Sequence, residues 1–142
     1  MDLQDIYTQL IMEQSASKHN RRKLDNPDIC ERGHNPSCGD EITLELKLNG
    51  DIIEDLAFTG QGCAISQAST SMMIDLLKGK SKEEALKLVE TFIGMIKREI
   101  KDEEELEKLE DAMVLQNISN MPARVKCAVL AWHTIQEAFK KK

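Results

Sequence analysis

The stretch that decides the fold is residues 41–59, which read EITLELKLNGDIIEDLAFT. Apolar and polar residues alternate over positions 42–48, which predicts a strand with one buried face and one polar face. Asn49-Gly50 follows and is a strong signal for a tight hairpin turn, because both turn positions need a positive φ. The residues after the turn are predicted to return as the partner strand, with Leu56 and Phe58 facing the core.

Helical periodicity surrounds this hairpin on both sides. Apolar residues recur every three or four positions from Leu3, which predicts an opening helix that runs to about Ser15. Residues 17–36 show no clear period and contain two prolines and a glycine, so they are predicted to form a long irregular lead-in. After Cys63 the helical pattern returns, and Gly79 is expected to end that helix.

The second half of the chain is predicted to be mainly helical. Ser81 and Glu84 have the spacing of a capping box, which predicts the start of another helix. The strongly acidic residues 102–111 keep a helical apolar period and indicate a surface helix. Pro122 suits the first position of the last helix, which is predicted to end near Phe139. A small antiparallel sheet with helices packed on it defines an α+β fold.

Length, composition and charge narrow the class of protein. A chain of 142 residues with 41% hydrophobic residues suits one folded domain, residues 1–142. The net charge of −6 argues against nucleic acid as a partner, because phosphate binding needs a basic face. The basic run Arg21-Arg22-Lys23 is interpreted as a solvated patch, with docking to an acidic partner as the alternative. No apolar run approaches the ~20 residues that cross a membrane, so we expect no membrane partner and a cytoplasmic protein.

The residues best suited to metal binding or catalysis are the four cysteines, Cys30, Cys38, Cys63 and Cys127. None lies in a compact Cys-x-x-Cys knuckle, so spacing alone indicates no zinc finger. In a reducing compartment, grouped cysteines more often bind metal or react than form disulfides. A hairpin, a glycine-rich loop and a helix can bring the last three of them to one end of a small sheet.

The local context of these three cysteines suits a metal-bound thiolate. Gly39 lets the backbone bend sharply, so Cys38 and Asp40 can point at one centre. Cys63 is placed at a predicted helix N-terminus, where the helix dipole and unpaired N–H groups favour a thiolate. Gly62 keeps the adjoining loop clear of side chains close to the site.

The last helix is expected to hold Cys127 rigidly, with Trp132 anchoring that helix to the core. Arg124 lies about one turn before Cys127, where it could hydrogen-bond Asp40 or offset excess negative charge. Cys30 lies in no motif and is interpreted as a bystander thiol.

The histidines are weaker candidates for ligands. His34 lies four residues before Cys38 and is the least implausible alternative, although a loop histidine is usually solvated. His133 is expected to point away from Cys127 on the last helix.

Three segments resemble the signature sequences of the IscU/SufU (NifU N-terminal-like) family. They are Cys38-Gly39-Asp40, Gly60–Ser66 (GQGCAIS) and Pro122–Ala128 (PARVKCA). Their order and the hairpin between the first two fit the family, and the resemblance extends from the first helix to Phe139. It implies an IscU/SufU-like fold with one metal centre whose ligands are Cys38, Asp40, Cys63 and Cys127.

Two features resemble the SufU branch of that family. Lys126 stands directly before the last cysteine, where scaffold-type IscU proteins have a histidine. Residues 97–120 are similar to the acidic insertion of SufU-type proteins. One segment departs from the pattern, because residues 19–24 replace an Asn-Pro-Arg-Asn-like segment that family members often carry.

The resemblance to SufU-type proteins implies a zinc-dependent sulfurtransferase in iron–sulfur cluster assembly. The sulfur donor would be a cysteine desulfurase of the SufS type, and a downstream iron–sulfur scaffold would be the next partner. Cys38, on the most flexible element, is predicted to exchange off zinc for a desulfurase residue and to accept the persulfide sulfur. Cys63 and Cys127 would hold zinc, and Asp40 would tune how readily the zinc exchanges its ligands. Arg124 would orient Asp40 or neutralise part of the negative charge of the site.

Two other classes stay open at this point. One is a scaffold on which a [2Fe–2S] iron–sulfur cluster is assembled on the same ligands. Lys126 in place of histidine argues against it. The other is a non-catalytic adaptor that zinc merely stabilises, for which the thiol of Cys38 would be dispensable.

Overall fold

A computed structural model describes residues 3–16, 18–36 and 39–140. The elements in chain order are α1 (Leu3–Ala16), β1 (Ile29–Asn35), β2 (Asp40–Asn49), β3 (Ile52–Gln61), α2 (Ala64–Leu77), α3 (Lys82–Ile96), α4 (Glu103–Glu107), a 3-10 helix (Glu110–Asn120) and α5 (Pro122–Lys140). The strands form one antiparallel sheet in the order β1-β2-β3, and the helices pack on it. The predicted α+β class is confirmed. Within the described ranges, no helix is long and apolar enough to cross a bilayer.

The β2–β3 hairpin forms as predicted, but its turn lies one residue later than the sequence indicated. Asn49 stays in β2 and pairs with Ile52, so the connecting residues are Gly50 and Asp51. Only Gly50 takes a positive φ, of 63°, whereas two positive values were expected for an Asn-Gly turn. A register shift between Lys47 and Leu48 accompanies this displacement.

Strand β1 corrects the prediction that residues 17–36 are irregular throughout. Residues 29–35 pair antiparallel with β2, from Ile29 opposite Leu46 to Asn35 opposite Asp40. Their sequence, ICERGHN, has a single large apolar residue and therefore no alternating signal. Contacts with distant parts of the chain stabilise this strand instead. A Cβ on Gly33 would lie 2.0 Å from Thr134 Oγ1, so α5 presses directly on the β1 backbone.

The helix starts and stops follow the sequence signals closely. Ser81 caps α3 and accepts a hydrogen bond from the Glu84 N–H at 3.1 Å. Gly79 follows the C-terminal end of α2 and has a φ of 88°, and Pro122 is the first residue of α5. Leu56 and Phe58 are buried as expected. Local capping chemistry and apolar period therefore suffice to place these elements.

Trp132 anchors α5 in the core, which confirms that prediction. Its ring stacks on Phe92, with ring centres 3.8 Å apart and planes 6° apart. The indole N–H donates to Ser69 Oγ at 2.9 Å, and that hydroxyl donates to the Ala128 carbonyl at 2.6 Å. The buried polar atoms of Trp132 and Ser69 are thus both paired, as an apolar core requires.

The acidic segment is not the single surface helix that was expected over residues 102–111. Helix α4 covers five residues, and the chain continues as a 3-10 helix from Glu110, which has a φ of 53°. Leu106 and Leu109 are buried, so the apolar period was interpreted correctly although the helix breaks. A positive φ at a non-glycine residue ends regular α-helix.

The basic run 21–23 is only in part the solvated patch that its sequence favoured, because Lys23 is exposed whereas Arg21 and Arg22 are partly buried. Arg22 donates two hydrogen bonds to Asp55, at 2.6 and 3.1 Å, and Lys78 Nζ lies 2.9 Å from the same carboxylate. The hydrogen bond from Arg22 holds the pKa of Asp55 well below its usual range, although partial burial acts in the opposite direction.

The Asp55 ion pair makes stability depend on pH. Replacing Asp55 with asparagine should lower the free energy of unfolding by about 1 kcal/mol at pH 7, since the pair is partly exposed. Because the folded-state pKa is depressed, this stabilisation is complete above the unfolded pKa of about 3.9 and is lost as pH falls below it. Urea unfolding of metal-free wild type and variant at pH 7, 5 and 3 measures the difference. The exposed neighbour Glu54, changed to glutamine, is the control. If the difference in the free energy of unfolding between wild type and Asp55→Asn stayed constant with pH, it would contradict this account.

Candidate metal centre

Three residues far apart in sequence converge at the end of the sheet that carries the β1–β2 turn. Asp40 is the first residue of β2, Cys63 precedes α2, and Cys127 lies in the second turn of α5. One carboxylate oxygen and the two Sγ atoms all lie within 4.8 Å of one another. Zinc–sulfur bonds of ~2.3 Å in a tetrahedron separate the ligand atoms by about 3.7 Å, so the three donors need only small shifts to surround one ion.

Asp40 is fully buried, and its two oxygens have different surroundings. Oδ1 accepts a hydrogen bond from the Cys63 N–H at 2.9 Å. Oδ2 is buried without a hydrogen-bond partner among the described residues. A buried carboxylate oxygen left unpaired costs several kcal/mol. An ion held beside the two sulfurs would remove that cost, so this oxygen fits a metal ligand.

Cys63 is the N-cap residue of α2, as its position before the apolar helix period predicted. Its Sγ accepts the Ser66 N–H at 3.4 Å, which satisfies one of the unpaired donors of the first helical turn. The positive end of the helix dipole therefore faces the sulfur. The side chain is half-buried, so it lies at the border between core and solvent.

Gly62 is required because the carboxylate of Asp40 lies against it. A Cβ built there would lie 2.6 Å from Asp40 Oδ1 and 3.2 Å from Ser66 Oγ. Contacts below 3.0 Å force a shift, and the atom that would have to move belongs to a candidate ligand. This is a physical reason for the second glycine of the Gly60–Cys63 loop.

Replacing Gly62 with alanine should therefore weaken metal binding by about 10- to 100-fold, the usual effect of disturbing a ligand's supporting contacts. Competition with a chromophoric zinc chelator measures the affinity. Gly50→Ala is the control for an added methyl group, because nothing lies within 4 Å of the Cβ at that position. Its φ of 63° adds a backbone strain that Gly62, whose φ is not positive, does not have. Gly50→Ala should cost about 1 kcal/mol of stability and leave the affinity unchanged. Equal affinities for Gly62→Ala and wild type would show that the carboxylate can move freely.

Cys127 is buried to 2% exposure on α5, a helix that packs against α2 and β1. Cys38, the fourth predicted ligand and the predicted sulfur acceptor, lies outside the described residues. Its neighbour Gly39 has a φ of 70°, the left-handed conformation that glycine adopts readily. Asn35, the last residue of β1, pairs directly with Asp40, the first residue of β2.

Arg124 lies on the exposed side of the first turn of α5. It does not make the possible hydrogen bond to Asp40, because Oδ1 accepts from Cys63 and Oδ2 has no partner among the described residues. Lys126 is also exposed. Both cations are therefore exposed on the first two turns of α5, close to Cys127 in the sequence.

The remaining candidate ligands lie apart from this cluster. Cys30 and His34 are exposed on β1, His133 is exposed on α5, and neither histidine belongs to the metal-binding group. His19 pairs with Asp75, with Nε2 3.0 Å from Oδ1.

Two polar residues near the cluster were not identified from the sequence. Asn35 Nδ2 and Ser66 Oγ are buried without hydrogen-bond partners in the part of the chain that is described, as is Asp40 Oδ2. Asn35 is the cross-strand partner of Asp40, and Ser66 donates its N–H to Cys63 Sγ. Buried polar atoms are normally paired, so three unpaired ones around one centre fit a site that completes its contacts with a bound group. Neither residue has a sequence signal beyond its place beside a ligand motif.

A three-stranded sheet, packed helices and a largely buried group of two sulfurs and a carboxylate that could hold a metal ion define a small α+β protein with a candidate metal site. The sequence profile of the NifU-like N terminal domain matches residues 6–141, and the chain belongs to this family. It is thus a member of the IscU/SufU group of iron–sulfur cluster assembly proteins, which confirms the resemblance seen in the three motifs.

Relatives in the family carry two kinds of name. The chain is 44% identical over 136 residues to the "Iron-sulfur cluster assembly scaffold protein IscU" of Thermotoga maritima, covering 96% of this chain and 94% of the relative. It is 41% identical over 140 residues to the "Zinc-dependent sulfurtransferase SufU" of Bacillus subtilis, covering 99% and 93%.

Solved structures agree with the fold. A scaffold protein for the SUF system from Fervidobacterium islandicum superimposes with a TM-score of 0.86 at 40% identity, covering 94% of this chain and 96% of that one. A NifU-like N-terminal protein from Brucella abortus, at 22% identity, covers 99% of this chain and 96% of its own with a TM-score of 0.83 and shares the fold.

Proposed function

We propose that this chain is a zinc-dependent sulfur-transfer protein that accepts persulfide sulfur from a cysteine desulfurase for iron–sulfur cluster assembly. The observation that carries the proposal is the largely buried group Asp40, Cys63 and Cys127, with one carboxylate oxygen left unpaired among the described residues. Membership of the IscU/SufU group supports the pathway, and the name of the Bacillus subtilis relative supports the metal and the activity.

The proposed zinc ligands are Cys38, Asp40, Cys63 and Cys127. Zinc bound there would keep the thiolates deprotonated and add its binding free energy to the folded state. Cys63 and Cys127 are held by helices, whereas Asp40 supplies a harder oxygen donor that suits an exchangeable site. Arg124, exposed beside Cys127, would offset the negative charge of the complete site when a partner docks.

Cys38 is the proposed sulfur acceptor. It is two residues from Asp40, so covalent geometry keeps its Cα within about 7 Å of the Asp40 Cα. Its thiolate would attack the terminal sulfur of the desulfurase persulfide. The sulfur–sulfur bond of the donor breaks, a new one forms on Cys38, and the donor cysteine leaves as a thiolate. The exchange needs no external oxidant, and a second exchange would pass the sulfur to a thiol of a downstream scaffold.

The proposed donor is a desulfurase of the SufS type. Arg124 and Lys126 are exposed within three residues of Cys127 in the chain and could contribute to the docking of an acidic surface. We also propose that residues 1–142 are a single IscU/SufU-like domain and that residues 97–120 are its SufU-type insertion. The buried residues of that segment, which support its integration into the core, are Leu106, Leu109, Ala112, Leu115 and Ile118.

The second candidate function is a scaffold on which a [2Fe–2S] cluster is assembled. The names of the relatives from Thermotoga maritima and Streptococcus pyogenes, at 44% and 40% identity, favour it. The same cysteines would hold the cluster. Lys126, where scaffold-type members have a histidine, favours sulfur transfer.

Metal analysis of protein purified without oxygen separates the two functions. Sulfur transfer predicts one zinc per chain, no iron or acid-labile sulfide, and a colourless solution. A brown protein with visible charge-transfer bands and matching iron and sulfide would reject the proposal in favour of the scaffold.

A further inference from the structure

The loop that presents Cys63 is held from outside by a side chain that no motif contains. Arg21 donates one guanidinium N–H to the Gly60 carbonyl and another to Gln67 Oε1, the latter at 2.6 Å. Its guanidinium also lies 5.2 Å from the centre of the Phe58 ring. The planar fork of arginine suits this task, because it fixes two acceptors in one geometry.

Gln67 continues the contact to the metal site. Its Nε2 donates to the Gly62 carbonyl at 2.8 Å. The N–H of the same peptide unit, which belongs to Cys63, donates to Asp40 Oδ1 at 2.9 Å. A peptide that accepts at its oxygen and donates at its nitrogen is fixed at both ends, and each hydrogen bond strengthens the other.

We propose that Arg21 and Gln67 are positioning residues that orient the Gly62–Cys63 peptide, and through it the carboxylate of Asp40, for metal binding. The hydrogen bonds run from Arg21 to Gln67, from Gln67 to Gly62 and from the Gly62–Cys63 peptide to Asp40. The charge of Arg21 therefore polarises the peptide that binds the carboxylate, and it favours the arrangement in which Oδ2 is left for the ion.

The side chain of Arg21 can be tested without removing its backbone from the fold. On either side of it, the Phe58 N–H donates to the Asn20 carbonyl and the Arg22 N–H donates to the Phe58 carbonyl, both at 3.0 Å. Asn20 is anchored further by hydrogen bonds from its side chain to Ser71 and Asp75. Main-chain pairing with β3 thus holds residues 20–22 whatever side chain stands at position 21.

Arg22 provides a matched control. It is the next residue, it is partly buried to a similar degree, and it donates two side-chain hydrogen bonds to Asp55. Asp55 also pairs with Lys78. Arg22→Met therefore removes an arginine of equal charge and similar exposure without removing a contact to the Gly60–Cys63 loop.

Amide hydrogen exchange of metal-free protein tests the inference directly, at the Cys63 N–H. Arg21→Met should accelerate its exchange at least about tenfold, because the variant loses both charge-assisted hydrogen bonds that hold this segment. Gln67→Glu should do the same, because it keeps an acceptor for Arg21 but loses the donor to Gly62. The Ile53 N–H, which donates to Lys80, is the internal reference that should not change.

Zinc release to a chromophoric chelator is the second readout and rests on the proposed function. Both variants should release zinc about tenfold faster than wild type, while Arg22→Met should not. Unchanged Cys63 exchange in both variants, or equal acceleration by Arg22→Met, would overturn the inference. A wild type that binds no zinc would reject the proposed function, and the exchange comparison in metal-free protein would still decide the role of Arg21 and Gln67.

Discussion

Replacing Cys38 with serine is expected to reduce sulfur uptake from a cysteine desulfurase by at least about a thousandfold, the usual scale for loss of a covalent nucleophile. A hydroxyl does not ionise near neutral pH, and oxygen cannot take over the thiol exchange that carries the sulfur. Transfer of label from radioactive cysteine sulfur to the chain measures uptake. Position 38 lies between β1 and β2 in the chain and outside both strands, so the sheet and the helices should be retained.

Cys30→Ser is the matched control for this experiment. Cys30 is an exposed thiol on β1, eight residues earlier in the chain, and lies outside the metal-binding group. Its loss should leave uptake at the wild-type rate. If Cys38→Ser remained fully active while folded, the zinc-stabilised adaptor would become the better account.

Removal of zinc is expected to lower the melting temperature by about 8–16 °C. Free zinc at a thousand times its dissociation constant stabilises the folded state by about 4 kcal/mol. For a chain of this length, each kcal/mol corresponds to about 2–4 °C. The structural reason is that metal-free protein keeps the Asp40 carboxylate buried with one unpaired oxygen between two thiols. Thermal unfolding with and without a strong chelator, with metal content measured in both samples, gives the shift.

Two controls make this result specific to the site. Zinc added back should restore the melting temperature. A Cys63→Ser, Cys127→Ser double variant should melt at the same temperature with and without the chelator. An unchanged midpoint in wild type, with zinc shown to be absent, would mean that metal binding and folding are not coupled here.

The elements that the sequence predicted well are those encoded by neighbouring residues. Alternation over residues 42–48 and the Ser81–Glu84 cap are local signals, and β2 and α3 begin where they indicate. Strand β1 was missed because its stability comes from pairing with β2 and from the contact of Gly33 with Thr134 in α5. Such long-range contacts leave no period in the strand itself.

The same distinction holds at the site. Spacing alone did not indicate a metal centre, whereas the family motifs predicted Asp40, Cys63 and Cys127 as ligands, and their donor atoms lie within 4.8 Å of one another. The supporting contacts of Arg21 and Gln67 join residues 46 positions apart and fall outside those motifs. The basic run of Arg21 was interpreted as solvated because charge runs usually are, whereas main-chain pairing with β3 places it against the Cys63 loop.

The central claim is that Cys38 receives the sulfur, and mapping the persulfide tests it most directly. Zinc-loaded protein is incubated with a SufS-type desulfurase and cysteine, alkylated, digested and analysed by peptide mass spectrometry. The account predicts that the added sulfur appears first on the peptide that contains Cys38, because Cys63 and Cys127 are held at helices and Cys127 is buried. Persulfide that forms mainly on Cys30, Cys63 or Cys127 would contradict the account.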